Sequence, residues 1–152
     1  MARSFFTAAN TVKQALSAAT AKTALQVTAP TNQRVAVQQI TVSFDGALNS
    51  ATPVTIQLVR QTTAGTTSSP SATAKKKDSD ISTAIQTTVA DGFTAEPTST
   101  DVLWTAFVHP QTGMAFPFPT PGNVVIAGGG RVGVLCNAPA AVDVLVSLDL
   151  EE

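Results

Sequence analysis

Apolar residues recur at every second position through most of this chain, and Gly, Pro, Asn and Asp clusters separate the runs. The clearest stretch is the last thirty residues. Val124, Val125 and Ile126 precede Gly128-Gly129-Gly130, and then Val132, Val134 and Cys136 alternate with Arg131, Gly133 and Leu135. After the Asn137-Ala138-Pro139 turn, Val142, Val144, Val146, Leu148 and Leu150 keep the same period. Strict alternation with β-branched residues predicts strands buried on at least one face. The spacing predicts three successive strands closing the chain as a hairpin-rich sheet.

Upstream, the same pattern predicts strands over 24–28, 35–44 and 54–60. In the second of these Ile40, Val42 and Phe44 alternate with Thr41 and Ser43 before the Asp45-Gly46 turn. Val102 to Val108 predicts a strand carrying the single tryptophan, Trp104. Met114 to Phe118 predicts an edge segment, because Pro117 lacks the amide that a central ladder needs. Thr62 to Asp80 is rich in Thr, Ser and Ala, carries Lys75-Lys76-Lys77, and predicts a long exposed loop. Ile81 to Val89 fits a weak strand or a short helix. Residues 1–22 fit a short helix or an arm that orders on a partner, with Phe5-Phe6 its one large apolar cluster.

Some eight short strands without βαβ spacing point to an all-β, antiparallel β-sandwich, jelly-roll-like, with an extended N-terminal arm. The predicted organisation is an arm over 1–22 and one sandwich domain over 23–152, since 152 residues suffice for one substantial core. No apolar run reaches the length of a transmembrane helix. Residues 1–23 also have the Ala- and Ser-rich, basic, acid-free profile of an organelle transit peptide, whereas Asn10, Lys13 and Gln14 interrupt any secretory hydrophobic core.

Composition narrows the function classes. Only 12% of residues are charged, so much of the surface must be Thr, Ser, Gln, Asn and Ala, as suits a subunit covered by neighbours. A net charge of −1 gives no general attraction to nucleic acid or to an anionic membrane. The charges are uneven: Arg3, Lys13, Lys22 and Arg34 precede the first acid, while Asp143, Asp149, Glu151 and Glu152 gather at the other end. A basic arm could therefore dock on the acidic strand of another subunit. Cys136 is the only cysteine, which excludes an intrachain disulfide.

Candidate chemistry is sparse. Gly128, Gly130 and Gly133 match a G-x-G-x-x-G spacing, but strand formers follow where a dinucleotide site needs a helix, so a turn is expected. His109 is the only histidine, and no nucleophile elbow accompanies it. One His and one Cys do not supply a common zinc site. Lys75-Lys76-Lys77 with Asp78-Ser79-Asp80 lacks the ligand spacing of an EF-hand loop and fits a solvated charge run. Paired carboxylates for glycoside hydrolysis leave no trace in a sequence, but one Trp and no Tyr provide few sugar-stacking platforms. No enzyme activity, catalytic residue, metal or cofactor is expected.

The segments Ala29-Pro30-Thr31-Asn32-Gln33-Arg34-Val35, Val42-Ser43-Phe44-Asp45-Gly46, Leu58 to Thr66, His109-Pro110-Gln111-Thr112-Gly113, and Gly128 through Pro139 together resemble small virion proteins of tailed bacteriophages. These are similar to jelly-roll capsid decoration, or cement, proteins, and the likeness spans about 23–152. It implies a structural protein on the outer surface of the phage head, made in the host bacterial cytoplasm, that bridges major capsid protein subunits. It also implies self-association, as a homotrimer in the first instance or a dimer, and no catalytic residue. The arm departs from the resemblance, so Arg3, Phe5, Phe6 and Lys13 are the expected contacts to the capsid or an adjacent subunit. The alternative is a tail-associated or surface carbohydrate-binding module of the same architecture.

Overall fold

A computed structural model of the chain describes residues 4–45, 52–78 and 82–152. Among these residues the chain forms strands and no helix. They are β1 (Phe5–Ala9), β2 (Gln14–Leu16), β3 (Ala21–Thr28), β4 (Val35–Asp45), β5 (Val54–Gln61), β6 (Thr66–Thr67) and β7 (Thr73–Lys76). β8 (Thr88–Ala90), β9 (Phe93–Ala95), β10 (Ser99–Val108), β11 (Met114–Pro117), β12 (Val124–Ile126), β13 (Arg131–Asn137) and β14 (Val142–Glu151) follow.

One sheet has the order β11-β4-β14-β1-β7, with β12 continuing along β4 and β2 along β14. The second has the order β10-β5-β13-β3-β8, and β6 pairs with β9 in a small third sheet. Four antiparallel pairs nest inside one another along the chain: β1 with β14, β3 with β13, β4 with β11, and β5 with β10. The first and third pairs fall in one sheet and the second and fourth in the other. That is a long hairpin of eight strands wrapped around a core, the jelly-roll arrangement.

The alternation read from sequence decides what the wrap buries. In β14, Val142, Val144, Val146, Leu148 and Leu150 face the core, while Leu145 is exposed. Val54, Ile56 and Leu58 of β5 and Val132, Val134 and Cys136 of β13 do the same from the opposite sheet. Burying one such side chain contributes about 1.5–3 kcal/mol.

Three expectations change. The last three strands are not mutual hairpins: β12 lies along β4, β13 lies in the other sheet between β3 and β5, and β14 returns to the first. The Gly128-Gly129-Gly130 turn crosses between sheets, held where the Gly129 amide donates to the Ala29 and Pro30 carbonyls at 3.2 and 3.1 Å. Gly129 has φ +76°, which a residue with a Cβ adopts only with strain. Second, Thr62 to Asp80 is not a bare loop, since β6 pairs with β9 and β7 lies beside β1, with Ser79 and Asp80 outside the described residues. The Thr-Ala-Lys-Lys run suits an edge strand, where lysines discourage further pairing. Third, Phe5–Ala9 is extended, as an arm would be, but it is laid into the sheet between β14 and β7 of its own chain. The acidic C-terminal strand is therefore the partner of the N-terminal segment within one molecule.

The two ends of the connection from β5 to β10, near Thr63 and near Phe93–Glu96, pack against part of the second sheet and are tied down by polar groups. Gln26 donates to Gln61 Oε1 at 2.7 Å and to the Thr63 carbonyl at 3.1 Å, and Gln61 Nε2 donates to Thr23 Oγ1 at 3.0 Å. Gly133 makes room for this pair: a Cβ there would lie 2.5 Å from Gln61 Cδ and Nε2. The third glycine of the G-x-G-x-x-G spacing is thus a packing glycine inside a strand.

A second knot centres on Asp91, which is wholly buried. Its Oδ2 accepts from Asn10 Nδ2 at 2.8 Å, Ser71 Oγ at 2.6 Å and Gln14 Nε2 at 3.2 Å, and its Oδ1 accepts from the Ser71 amide at 2.6 Å. Asn10 also donates to the Ala24 carbonyl and accepts from the Val146 amide, so it joins both sheets to the connection. Four neutral donors satisfy the carboxylate, which is what a buried charge requires.

Candidate docking surface

The outer face of the first sheet is a broad surface across five strands, with β7 of the β5–β10 connection as its edge. Its side chains fall in rows set by the strand register. One row runs Ala115, Thr41, Ser147, Ala9, Thr73 across five strands, and the next runs Pro117, Gln39, Asp149, Thr7, Lys75. The first row contains only small side chains and no charge. Small Thr, Ser and Ala residues on adjacent strands leave a flat surface whose hydroxyls can bond outward.

The charges on this face are largely paired with one another. Asp149 accepts from Thr7 Oγ1 at 2.9 Å and from Lys77 Nζ at 2.6 Å. Lys77 is thereby fixed against β14, which corrects the expectation of a simply solvated lysine run. Glu151 accepts from Gln38 Nε2 at 2.8 Å. Glu152 accepts from the amides of Gln86 and Thr87, the Thr87 hydroxyl and Gln33 Nε2, binding the end of β14 to the connection.

Two hollows flank the exposed ring of Phe5 on this face. The smaller, about 220 Å³, is lined by Gln38, Gln39, Lys77, Asp149 and Leu150 besides Phe5. The larger, about 720 Å³, includes Gln33, Arg34, Gln38, Asn123 and Glu151.

The four expected contact residues separate. Arg3 lies outside the described residues. Phe5 is 45% exposed and stands on the outer face. Phe6 is fully buried in the core and cannot touch a partner, because alternation along β1 turns it and Ala8 inward as Phe5 and Thr7 turn outward. Lys13 is exposed but engaged, with Nζ 2.8 Å from both Asp45 and Asp143. The hydrogen bonds Lys13 donates to those carboxylates raise its pKa, and Lys13 in turn holds the Asp45 carboxyl below the usual range. It clamps the chain just before β2 to the last residue of β4 and to Asp143 near the start of β14.

Sequence reasoning missed the flat row, which carries no distinctive residue type, and the aromatic side of the sandwich. There Trp104 of β10 packs on Phe116 and Phe118 with ring centroids 5.3 and 5.9 Å apart, and the two phenylalanines lie 5.3 Å from each other. The cluster closes the opening between edge strands β10 and β11 and occupies the one tryptophan. Phe107 of the same strand is 77% exposed and borders a hollow of about 430 Å³ with Ala19, Pro53, Thr55 and Pro139.

The polar groups considered for chemistry have structural partners. His109 Nδ1 accepts the Gln111 amide at 3.2 Å and its carbonyl accepts from Thr112, so the residue caps the turn before β11. Cys136 is fully buried, and burial, aided by the charge of Glu96, pushes its thiol up to about 12. Among the described residues no group of three His, Cys, Asp or Glu side chains is placed to hold a metal ion. Among the described residues no helix is long and apolar enough to cross a membrane. No family model matches this sequence, and neither the curated proteins nor the solved structures yield a match.

Proposed function

We propose that this chain is a structural virion protein that decorates a phage head, seating the outer face of its first sheet on major capsid protein subunits. The observation that carries the reading is the flat, uncharged row that crosses five strands of the first sheet from Ala115 to Thr73. Such a face suits a broad, smooth, repeated surface better than a small ligand. Hydroxyl and methyl contacts of this kind are individually weak, and repetition over a shell of linked subunits multiplies them. With few unpaired charges on the face, docking depends on shape and is insensitive to salt. The carbohydrate-binding alternative rests on the 720 Å³ hollow beside Phe5, whose amide and carboxylate lining could bond sugar hydroxyls.

Deleting residues 1–22 is not a clean test, because it removes β1, β2 and the start of β3. The informative variant is Ala115→Arg with Ser147→Arg, both on the outer face. Purified protein is mixed with expanded phage heads lacking it, sedimented and imaged. The wild type is expected to give saturable, regularly spaced density outside the shell, and the folded double variant to lose at least about tenfold in occupancy. Absence of wild-type density, or equal occupancy by the variant, refutes head docking. Binding on a glycan array, abolished by Gln38→Ala, would transfer the reading to the carbohydrate module.

A further inference from the structure

The two sheets end in four edges, and they are not equally protected. β7 carries Lys75 and Lys76, β8 is three residues long, and β11 is four residues long and ends in Pro117. Lysines, short length and proline are the common devices by which proteins keep a sheet edge from pairing with another chain. β10 is ten residues long, contains neither Lys nor Pro, and carries Asp101 as its one charge. Irregular register blunts its first half, between Ser99 and Trp104, but Trp104 to Val108 runs in unbroken register with β5. This open half also bears Phe107, which at 77% is the most exposed large apolar side chain among the described residues.

We infer that β10 pairs antiparallel with β10 of a second copy of this chain, across a two-fold axis at Ala106, joining the second sheets of the two molecules into one continuous sheet. The other edges offer too little strand to cover this one, whereas a second β10 matches it in length. The register is self-complementary. With Ala106 opposite Ala106, Thr105 faces Phe107 of the copy, and the two Phe107 side chains become diagonal neighbours on the outer face, within reach of each other. Trp104 faces Val108. Asp101 falls beyond the paired segment, so no like charges meet. An isologous contact closes at two subunits, which makes the building unit a dimer rather than the trimer that the family resemblance puts first.

The inference takes up the self-association that the family resemblance implies, and it stands apart from the proposed head docking because it uses a different edge and needs only purified protein. Its test is Ala106→Cys under mild oxidation. Residues directly opposite in an antiparallel pair have Cα atoms about 4.5–5.5 Å apart, within disulfide range. The native Cys136, wholly buried, does not compete. The expected result is a covalent dimer from Ala106→Cys and none from Val12→Cys, whose residue is 58% exposed on a different part of the surface. Sedimentation over a concentration series should show a reversible dimer for the wild type and at least about a tenfold weaker one for Phe107→Lys, which sets two cations side by side. A monomer at every concentration, a trimer, or a dimer that Phe107→Lys leaves intact overturns the pairing. Head occupancy by a strictly monomeric protein would sink this inference alone.

Discussion

Gly133→Ala tests whether the buried glutamine pair anchors the connection to the second sheet. Gly133 sits in β13 with an ordinary extended backbone, so its φ does not demand glycine. Space does: the added methyl carbon would lie 2.5 Å from the amide of Gln61, against which nothing can relax cheaply because Gln61 is bonded to both Gln26 and Thr23. Overpacking costs about 1–3 kcal/mol. Displacing Gln61 leaves buried donors or acceptors unmade at about 1–3 kcal/mol each. Replacing glycine in a strand returns about 0.5–1 kcal/mol of backbone entropy. The net expected loss is about 2–4 kcal/mol, a fall of roughly 5–15 °C in Tm for a chain of this length. Thermal and urea unfolding of Gly133→Ala, Gln61→Ala and the double variant form a cycle. In the Gln61→Ala background the clash is gone, so Gly133→Ala should be neutral or stabilising by up to about 1 kcal/mol. A loss below about 1 kcal/mol in the single variant, or an equal loss in both backgrounds, refutes the packing argument.

Three further outcomes follow from polar and titrating groups. Asp91→Ala removes the common acceptor of Asn10, Gln14 and Ser71 and should destabilise by about 2–4 kcal/mol in urea unfolding, with faster amide exchange at Ser71; a change below about 1 kcal/mol would mean the knot is decorative. Cys136 has a folded-state pKa of about 12, above the unfolded value near 8.5, so the stability from keeping it neutral is whole below about pH 8.5 and is lost as pH rises. Wild type should lose about 2 kcal/mol more than Cys136→Ala between pH 8 and pH 10, and a thiol reagent at pH 8 should label it only on unfolding; rapid native labelling contradicts this. Asp45, held low by Lys13, contributes stability that is present above about pH 3.9 and is lost as pH falls through its lowered folded value, so Lys13→Met should flatten the acid limb of the Tm profile; superimposable profiles argue against the clamp.

The strands were legible because alternation reports directly on burial: Val142 to Leu150 reads inward at every even position, and the wrap buries those residues. The same rule assigns Phe6 inward and Phe5 outward, yet the alanines around them conceal the period, and the adjacent pair looks like one exposed cluster. Sheet membership was not legible. Asn137-Ala138-Pro139 announces that the chain turns, but whether the next strand pairs with the last or crosses to the other sheet depends on partners over a hundred residues away, as when Leu148 meets Ala8. The Asp91 knot is hidden for the same reason, since Asp91-Gly92 reads as a turn and its partner Asn10 lies 81 residues upstream. The flat row is hidden more deeply, because Ala115, Thr41, Ser147, Ala9 and Thr73 come from five strands and no one of them is unusual. What a scarcity of charge indicates in the sequence is only that some surface is meant to be covered. Pairing order decides which side chains share a face: the register alone brings Ala115, Thr41, Ser147, Ala9 and Thr73 into one row and leaves β10, among the described residues, the one edge without a lysine, a proline or a short strand to blunt it.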